Sequence, residues 1–194
     1  MLKSTTLILI LICLIFFFLE SAPGFIEAFY FIPSEAFERP WTFVTSIFLH
    51  ASFEHLFFNM FGLFMFGLYL ERRISRRDYI LIFLLAGIVG NFGYMLTAFD
   101  KNIPAVGASG AIYGIMGCLA VLEPYAMVYV GYLPMPMIAA AFFWAFIEFI
   151  GIFIPSNIAH GSHLFGLIVG IGFGIYLRTR IKKTYKEELN IYFG

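Results

Sequence analysis

Six long apolar segments, each nearly free of charged residues, constrain the fold of this chain more than any other feature. Each approaches the length of about 20 residues that a helix needs to cross the hydrocarbon core of a bilayer. Only 12% of the residues are charged, which is typical of a membrane protein with several spans. Hydropathy therefore predicts an all-α membrane protein, a bundle of six transmembrane helices at residues 5–21, 49–70, 79–99, 108–124, 134–153 and 162–180.

The first apolar segment has a second interpretation as a signal peptide, with Lys3 before it and a weak cleavage site at Ser21 and Ala22. We interpret it as a span because counting it makes the charge distribution consistent. Residues 22–48 then form a long loop, rich in aromatic residues, that we expect to lie at the membrane interface. No repeat divides the chain, so residues 1–194 are predicted to form a single membrane domain.

Basic residues cluster on one side of this predicted topology. Ten of the twelve flank the inner ends of the spans, whereas Arg39 and Lys101 fall on the other side. The positive-inside rule therefore places both termini in the cytoplasm, so that spans two, four and six begin at the outer face. The ten residues are Lys3, Arg72, Arg73, Arg76, Arg77, Arg178, Arg180, Lys182, Lys183 and Lys186.

Composition also limits the partners and the cysteine chemistry. The formal net charge is zero and there is no basic patch, which argues against a nucleic-acid partner. Cys13 and Cys118 both lie in apolar segments, so we interpret them as buried apolar side chains and not as a disulfide.

Strongly polar residues lie close to the outer ends of three spans. Polar groups inside a bilayer are costly and normally face an interior cavity. We therefore expect these side chains to surround one water-filled site near the outer surface. They are His50, His55 and Asn59 on span two, Ser109 at the start of span four, and His160 and His163 on span six.

Glycine ridges on spans four and six predict that these two helices touch. Small residues four apart allow helix backbones to approach closely in lipid. If the ridges face each other, Ser109 and His163 both lie within a turn of the contact, where a hydroxyl-to-imidazole hydrogen bond of about 2.6 to 3.2 Å is geometrically reasonable. The ridges are Gly110, Gly114 and Gly117 on span four and Gly166, Gly170 and Gly174 on span six.

Along nearly its whole length the chain resembles the rhomboid family of intramembrane serine proteases. The resemblance implies a rhomboid-like bundle of six helices that hydrolyses peptide bonds within or just above the membrane. It rests on three motifs in order: His50-x4-His55-x3-Asn59, then Gly107-x-Ser109-Gly110 followed by Tyr113, then His163-x2-Gly166-x3-Gly170.

Serine hydrolysis needs a base that takes the hydroxyl proton as the oxygen attacks a carbonyl. His163 is the candidate base for Ser109, and it would return the proton to the leaving amine. No carboxylate other than Asp100 lies near the outer ends of spans four and six, which favours a Ser–His dyad over a triad. The resemblance also suggests that Tyr113 orients the imidazole, although core filling is its simpler interpretation.

Attack generates an oxyanion that needs preorganised donors. The backbone N–H of Ser109 lies at the positive end of a helix dipole and is one candidate. The resemblance implies that His55 and the Asn59 amide supply the others, although Asn59 also suits an interhelical hydrogen bond.

Three further residues receive supporting roles. His50 is predicted to be structural, either bonding the loop or lining the water entry. Gly107 and Gly110 suit a close approach of the substrate backbone, although each also suits helix packing.

The assignment of the base needs a choice, since His160 lies three residues before His163. Glycines at positions three and seven after His163, namely Gly166 and Gly170, match the family pattern and decide for it.

Two positions depart from that pattern. Trp41 is followed by Thr42, whereas Arg39 precedes it. Phe165 stands where small residues are common, which leaves the tightness of the contact between spans four and six open. Glu148 is alone in span five, where its carboxylate suits either pairing across the bundle or snorkelling to the interface, and it receives no functional role.

Two alternative functions remain at this point. Four histidines at one level suit metal binding or transport, but no HExxH motif and no carboxylate within a span accompanies them, so no metal or cofactor is predicted. An inactive rhomboid-like protein that only binds membrane segments would be expected to lose the serine or the histidine.

The expected substrates are single-span or other transmembrane proteins in the lipid bilayer, unwound near the cut because a helix hides its carbonyl groups. Span five and the loop with Pro155, Ser156 and Asn157 are the candidate gate. A bare six-span core resembles prokaryotic members of the family, which suggests the cell membrane with the site on its outer side.

Overall fold

The computed structural model describes residues 4–193, with side chains described to residue 180. Six apolar helices dominate the described residues and match the positions of the six predicted segments. Three are long and apolar enough to cross a membrane, Phe53–Glu71, Arg76–Thr97 and His160–Arg180, and three are shorter, Thr5–Leu19, Ser109–Leu122 and Met137–Gly151. The chain is thus a largely helical, multi-pass membrane protein.

The helices are α1 (Thr5–Leu19), α2 (Phe25–Phe29), α3 (Thr42–Thr45), α4 (Phe53–Gly62), α5 (Leu68–Glu71), α6 (Arg76–Thr97), α7 (Ser109–Leu122), α8 (Met137–Gly151) and α9 (His160–Phe193). A π-helical turn, Leu63–Gly67, joins α4 to α5 in one continuous helical stretch.

A β-hairpin between α7 and α8 was absent from the sequence prediction. Strand β1 (Met127–Val130) pairs antiparallel with β2 (Leu133–Pro136), and the turn contains Gly131 at a φ of 61°. Pro136 has extended backbone and caps α8, so the fifth apolar helix begins at Met137 and not at residue 134.

The second apolar helix begins at Phe53, four residues later than predicted. Ser52 is its N-cap, with extended backbone and a side chain that accepts a hydrogen bond of 3.1 Å from the backbone N–H of His55. Such a cap satisfies one of the first free N–H groups of the helix. His50 therefore precedes the helix, and its predicted place on span two is wrong.

Helix α7 is the centre of the bundle, with ten of its 14 residues buried. The glycine ridges of α7 and α9 face each other, as the sequence predicted. A methyl group at Gly166 would overlap the carbonyl oxygen of Gly110, and one at Gly170 would overlap that of Gly114. Phe165 does not loosen this contact, because its ring packs against Gly93 of α6 instead.

The long loop after α1 is structured and is attached to the segment before α7. It contains α2, a 3₁₀ turn at Pro33–Glu35, and α3. Phe31 and Ala105 exchange two backbone hydrogen bonds of 3.1 and 2.7 Å, which tie the loop to the chain leading into Ser109. Trp41 donates its indole N–H to the carbonyl of Ala28, 3.1 Å away.

Two other sequence predictions concern residues away from this loop. Cys13 and Cys118 are both buried and free, as expected. Of the basic residues used for the orientation, Lys3 and the side chains of Lys182, Lys183 and Lys186 lie outside the described part of the chain.

Candidate active site

Ser109 and His163 meet at the adjoining ends of α7 and α9. Ser109 is the first residue of α7, and His163 lies in the first turn of α9. The hydroxyl oxygen of Ser109 is 2.7 Å from Nε2 of His163. His160 contacts a different partner, so of the two candidate imidazoles the structure brings His163 to the serine.

The ring of Tyr113 lies parallel to the imidazole of His163. The ring centroids are 4.6 Å apart and the planes differ by 3°. Tyr113 is four residues after Ser109 and therefore on the same face of α7. This stack fixes the plane of the imidazole, and the hydroxyl of Tyr113 donates to Oε1 of Glu148 at 2.5 Å.

Glu148 places a buried carboxylate beside both histidines, which contradicts the expectation that no carboxylate reaches the site. Its Oε2 is 2.6 Å from Nδ1 of His160, and its Oε1 is 3.1 Å from Nδ1 of His163. The second contact has ion-pair distance but lies outside hydrogen-bond geometry, and Nδ1 of His163 has no other hydrogen-bond partner among the described side chains. Gly151 makes room for this group, since a methyl there would overlap the ring of His160.

Sequence reasoning missed Glu148 although a signal for it existed. An ionisable residue within an apolar span marks a functional site by default, and Glu148 is the only charged residue of α8. The contact with α7 and α9 could not be inferred, because hydropathy does not show how α8 is rotated about its axis.

Four of the predicted site residues line a common cavity of about 470 Å³. Its wall also contains Asn157 and Ile158 from the segment between α8 and α9. The cavity leaves open space beside the Ser109 hydroxyl. The four predicted residues are His55, Asn59, Ser109 and His163.

Asn59 and His55 occupy the α4 side of this cavity. The Asn59 side chain is nearly buried, and its amide nitrogen donates to the backbone carbonyl of His55 at 2.9 Å. An amide nitrogen carries two donors, so one remains for a ligand in the cavity.

Position 107 requires glycine for two reasons, its backbone conformation and the close approach of His55. Its φ of 122° is one that L side chains rarely adopt. A methyl group there would also lie 2.7 Å from Cε1 of His55. Gly110 serves helix packing, since a methyl on it would lie 2.7 Å from the hydroxyl of Ser162 in α9.

His50 lies next to His55 and outside the cavity wall. The two rings meet edge to face with centroids 5.3 Å apart, and the backbone N–H of His50 donates to the carboxylate of Glu20 at 2.9 Å. The side chain is 1% exposed, and this burial lowers the pKa of His50 to about 3. His50 is therefore neutral at physiological pH.

One group of side chains in the described part of the chain could hold a metal ion. It consists of Glu148, His160 and His163, whose ligand atoms lie within 4.8 Å of one another. Both oxygens of the Glu148 carboxylate already have partners, because Oε1 accepts from the hydroxyl of Tyr113 and Oε2 contacts Nδ1 of His160.

Residues 38–180 match the family model of the rhomboid domain. The chain belongs to the rhomboid family. YdcA of Bacillus subtilis (strain 168), provisionally named a rhomboid protease, is 36% identical over 130 residues, 67% of this chain and 63% of YdcA. Rhomboid protein 1, mitochondrial, of Saccharomyces cerevisiae (strain ATCC 204508 / S288c) is 24% identical over 172 residues, 85% of this chain and 50% of that protein.

The relatives include a protein named inactive. Inactive RHOMBOID-like protein 8 of Arabidopsis thaliana is 33% identical over 79 residues, which is 41% of this chain and 22% of that protein. The chain thus spans 63% or less of the length of these three relatives. Family membership alone therefore does not distinguish an active protease from an inactive relative.

Proposed function

We propose that this rhomboid-family protein is an intramembrane serine endopeptidase that cleaves peptide bonds in or near transmembrane segments. The observation that carries the proposal is the 2.7 Å contact between the Ser109 hydroxyl and Nε2 of His163 in the wall of a cavity. A hydroxyl at hydrogen-bonding distance from an imidazole is the arrangement that activates serine nucleophiles on unrelated folds.

In this mechanism Ser109 attacks the substrate carbonyl while Nε2 of His163 takes the hydroxyl proton. A C–O bond forms, the carbonyl π bond breaks, and a tetrahedral intermediate results. His163 then gives the proton to the leaving amine as the C–N bond breaks. Water then attacks the carbonyl of the acyl-enzyme while Nε2 of His163 takes a proton from it. His163 returns this proton to the Ser109 oxygen as the ester C–O bond breaks, which releases the carboxylic acid and regenerates the serine.

The negative oxygen of the intermediate is stabilised by donors around the cavity. The backbone N–H of Ser109 lies at the first turn of α7, where the peptide dipoles add their positive end. The second amide proton of Asn59 and the imidazole of His55 complete the set. Loss of one such donor typically costs about 3 to 4 kcal/mol of transition-state stabilisation.

We further propose that all six apolar helices cross the bilayer, with both termini in the cytoplasm and the site at the outer face of the cell membrane. The distribution of basic residues supports this orientation. Substrate enters laterally past α8 and the Pro155–Asn157 segment, and Asn157 already lines the cavity.

The proposal is tested with purified full chain in liposomes that contain a single-span substrate. Wild-type protein is expected to cleave, and Ser109→Ala and His163→Ala are expected to lose on the order of 10⁴-fold or more in kcat. A fluorophosphonate is expected to label Ser109. Equal cleavage by all three proteins would rule out the dyad.

Two outcomes would favour the alternatives. Wild-type protein that binds the substrate without cutting it or reacting with the fluorophosphonate would be an inactive rhomboid-like binder. Loss of cleavage on treatment with a chelator, restored by a divalent metal, would point to a metal at Glu148, His160 and His163.

A further inference from the structure

Glu148 is the one charged side chain of α8, and it is 5% exposed. A buried carboxylate is costly in a membrane protein and adds little net stability even when it is paired. An apolar residue of similar size would fill the same space at lower cost. The position of Glu148 therefore needs an explanation other than stability.

All the hydrogen bonds and ion pairs recorded for the Glu148 carboxylate in the described structure lead to the proposed base or to residues beside it. Oε1 accepts from the hydroxyl of Tyr113, whose ring stacks on His163, and lies 3.1 Å from Nδ1 of His163. Oε2 is held by Nδ1 of His160, one turn before His163 on α9. Two supports thus fix the carboxylate on the side of the imidazole away from Ser109.

The two nitrogens of His163 consequently have different neighbours. Nε2 faces the hydroxyl of Ser109, and Nδ1 faces the carboxylate. General-base action needs an unprotonated Nε2, which places the ring proton on Nδ1. A carboxylate at Nδ1 favours that tautomer and also stabilises the imidazolium that forms when Nε2 takes the serine proton.

We propose that Glu148 is a positioning residue for the imidazole of His163. Ser109, His163 and Glu148 then form a triad whose carboxylate comes from α8. The inference rests on the proposed protease function. Glu148 stays ionised throughout and takes no proton. Tyr113 and His160 hold its two oxygens, so that His163 keeps one tautomer and one plane during the two proton transfers.

The test compares Glu148→Gln and Glu148→Asp in the full chain in liposomes with a single-span substrate. Glu148→Gln keeps the shape and removes the charge, and is expected to lower kcat on the order of 10²- to 10⁴-fold with little change in KM. Glu148→Asp keeps the charge and is expected to recover at least part of that loss. Fluorophosphonate labelling of Ser109 should slow in parallel with kcat.

Asp78→Asn is the matched control. Asp78 is a second buried carboxylate, which accepts from Ser75 at the start of α6 and does not contact the site. Its substitution is expected to leave kcat within about threefold, because loss of a buried carboxylate away from the site changes stability and not the proton transfers. A kcat loss in Asp78→Asn equal to that in Glu148→Gln would reduce Glu148 to a structural role.

Further variants separate the remaining outcomes. In a His163→Ala background, Glu148→Gln should cost no additional rate, because both act as one unit. If Glu148→Gln fails to fold, Tyr113→Phe removes one support and keeps the stacked ring, with an expected kcat loss of about tenfold. Unchanged kcat in a folded Glu148→Gln or Tyr113→Phe protein overturns this inference and leaves the protease proposal standing, whereas inactive wild-type protein overturns the protease proposal itself.

Discussion

The hydroxyl oxygen of Ser109 and Nε2 of His163 lie 2.7 Å apart although 54 positions separate the two residues in the chain. Their contact depends on the close approach of α7 and α9, because each residue lies in the first turn of its helix. The glycine ridges set that approach below the serine and the histidine. Backbone packing in the membrane therefore determines the geometry of the site above it.

Gly170→Ala is expected to lower the stability of the bundle and, with it, the reactivity of Ser109. A methyl group there would overlap the carbonyl oxygen of Gly114, a backbone atom that cannot move without shifting α7. Overpacking of this kind costs about 1 to 3 kcal/mol. Gly172→Ala on the same helix is the control, since its methyl would enter open space. Thermal unfolding in detergent and fluorophosphonate labelling measure both effects, and identical midpoints for the two variants would contradict the packing argument.

Gly107→Ala is expected to slow catalysis more than it lowers stability. Its φ of 122° strains any L residue, and the added methyl would push the ring of His55. Displacement of a catalytic group by about 1 Å costs on the order of 10²-fold in rate. Gly131→Ala provides the comparison, because Gly131 also has positive φ but has open space around it and lies in the hairpin. Cleavage rates in liposomes should fall for Gly107→Ala and stay near wild type for Gly131→Ala.

Hydropathy and glycine spacing predicted the positions of the apolar helices and the contact between α7 and α9, because both depend on local composition. The pairing of Ser109 with His163 followed from that contact. The start of α4 was predicted four residues early, since hydropathy continues through Leu49 whereas the Ser52 cap ends the loop. A search for N-cap residues would have found it.

The contacts of Glu148 show what the sequence could not supply. Its reach to His163 depends on the rotation of α8 about its own axis and on the space left by Gly151. Neither follows from periodicity, because α8 is apolar around its whole circumference apart from Glu148. The β-hairpin before α8 was missed for a related reason, as its Tyr, Val and Met residues look equally apolar in a helix or a strand.

Asn59→Ala is expected to lower kcat on the order of 10²- to 10³-fold, because it removes a donor to the oxyanion. Stability and KM should change little, since the Asn59 amide makes one local hydrogen bond, to the carbonyl of His55. Asn91→Ala is the matched control in α6. Its amide nitrogen donates to Phe43 and Ser46 at 2.9 and 2.8 Å, so the substitution should cost about 1 to 3 kcal/mol of stability with kcat unchanged in the folded fraction. The reverse assignment of effects would remove Asn59 from the oxyanion site.

His50 is expected to make the folded protein less stable as the pH falls below neutral. Burial, with a smaller contribution from the nearby ring of His55, lowers the pKa of His50 from its ordinary 6.5 to about 3. The unfolded chain therefore binds the proton first, so stability is full above about pH 6.5 and falls as the pH drops toward 3. The slope approaches about 1.4 kcal/mol for each pH unit.

Replacement of His50 by Asn should flatten this dependence, measured as chemical unfolding of Ser109→Ala protein in detergent between neutral and mildly acid pH. The Glu20 carboxylate acts in the opposite direction, because burial raises its pKa, and it binds the backbone of His50. Both proteins should therefore be compared in a Glu20→Gln background. Equal slopes with and without His50 would show that its imidazole gains a proton in the folded state, and that this buried ring has contact with water.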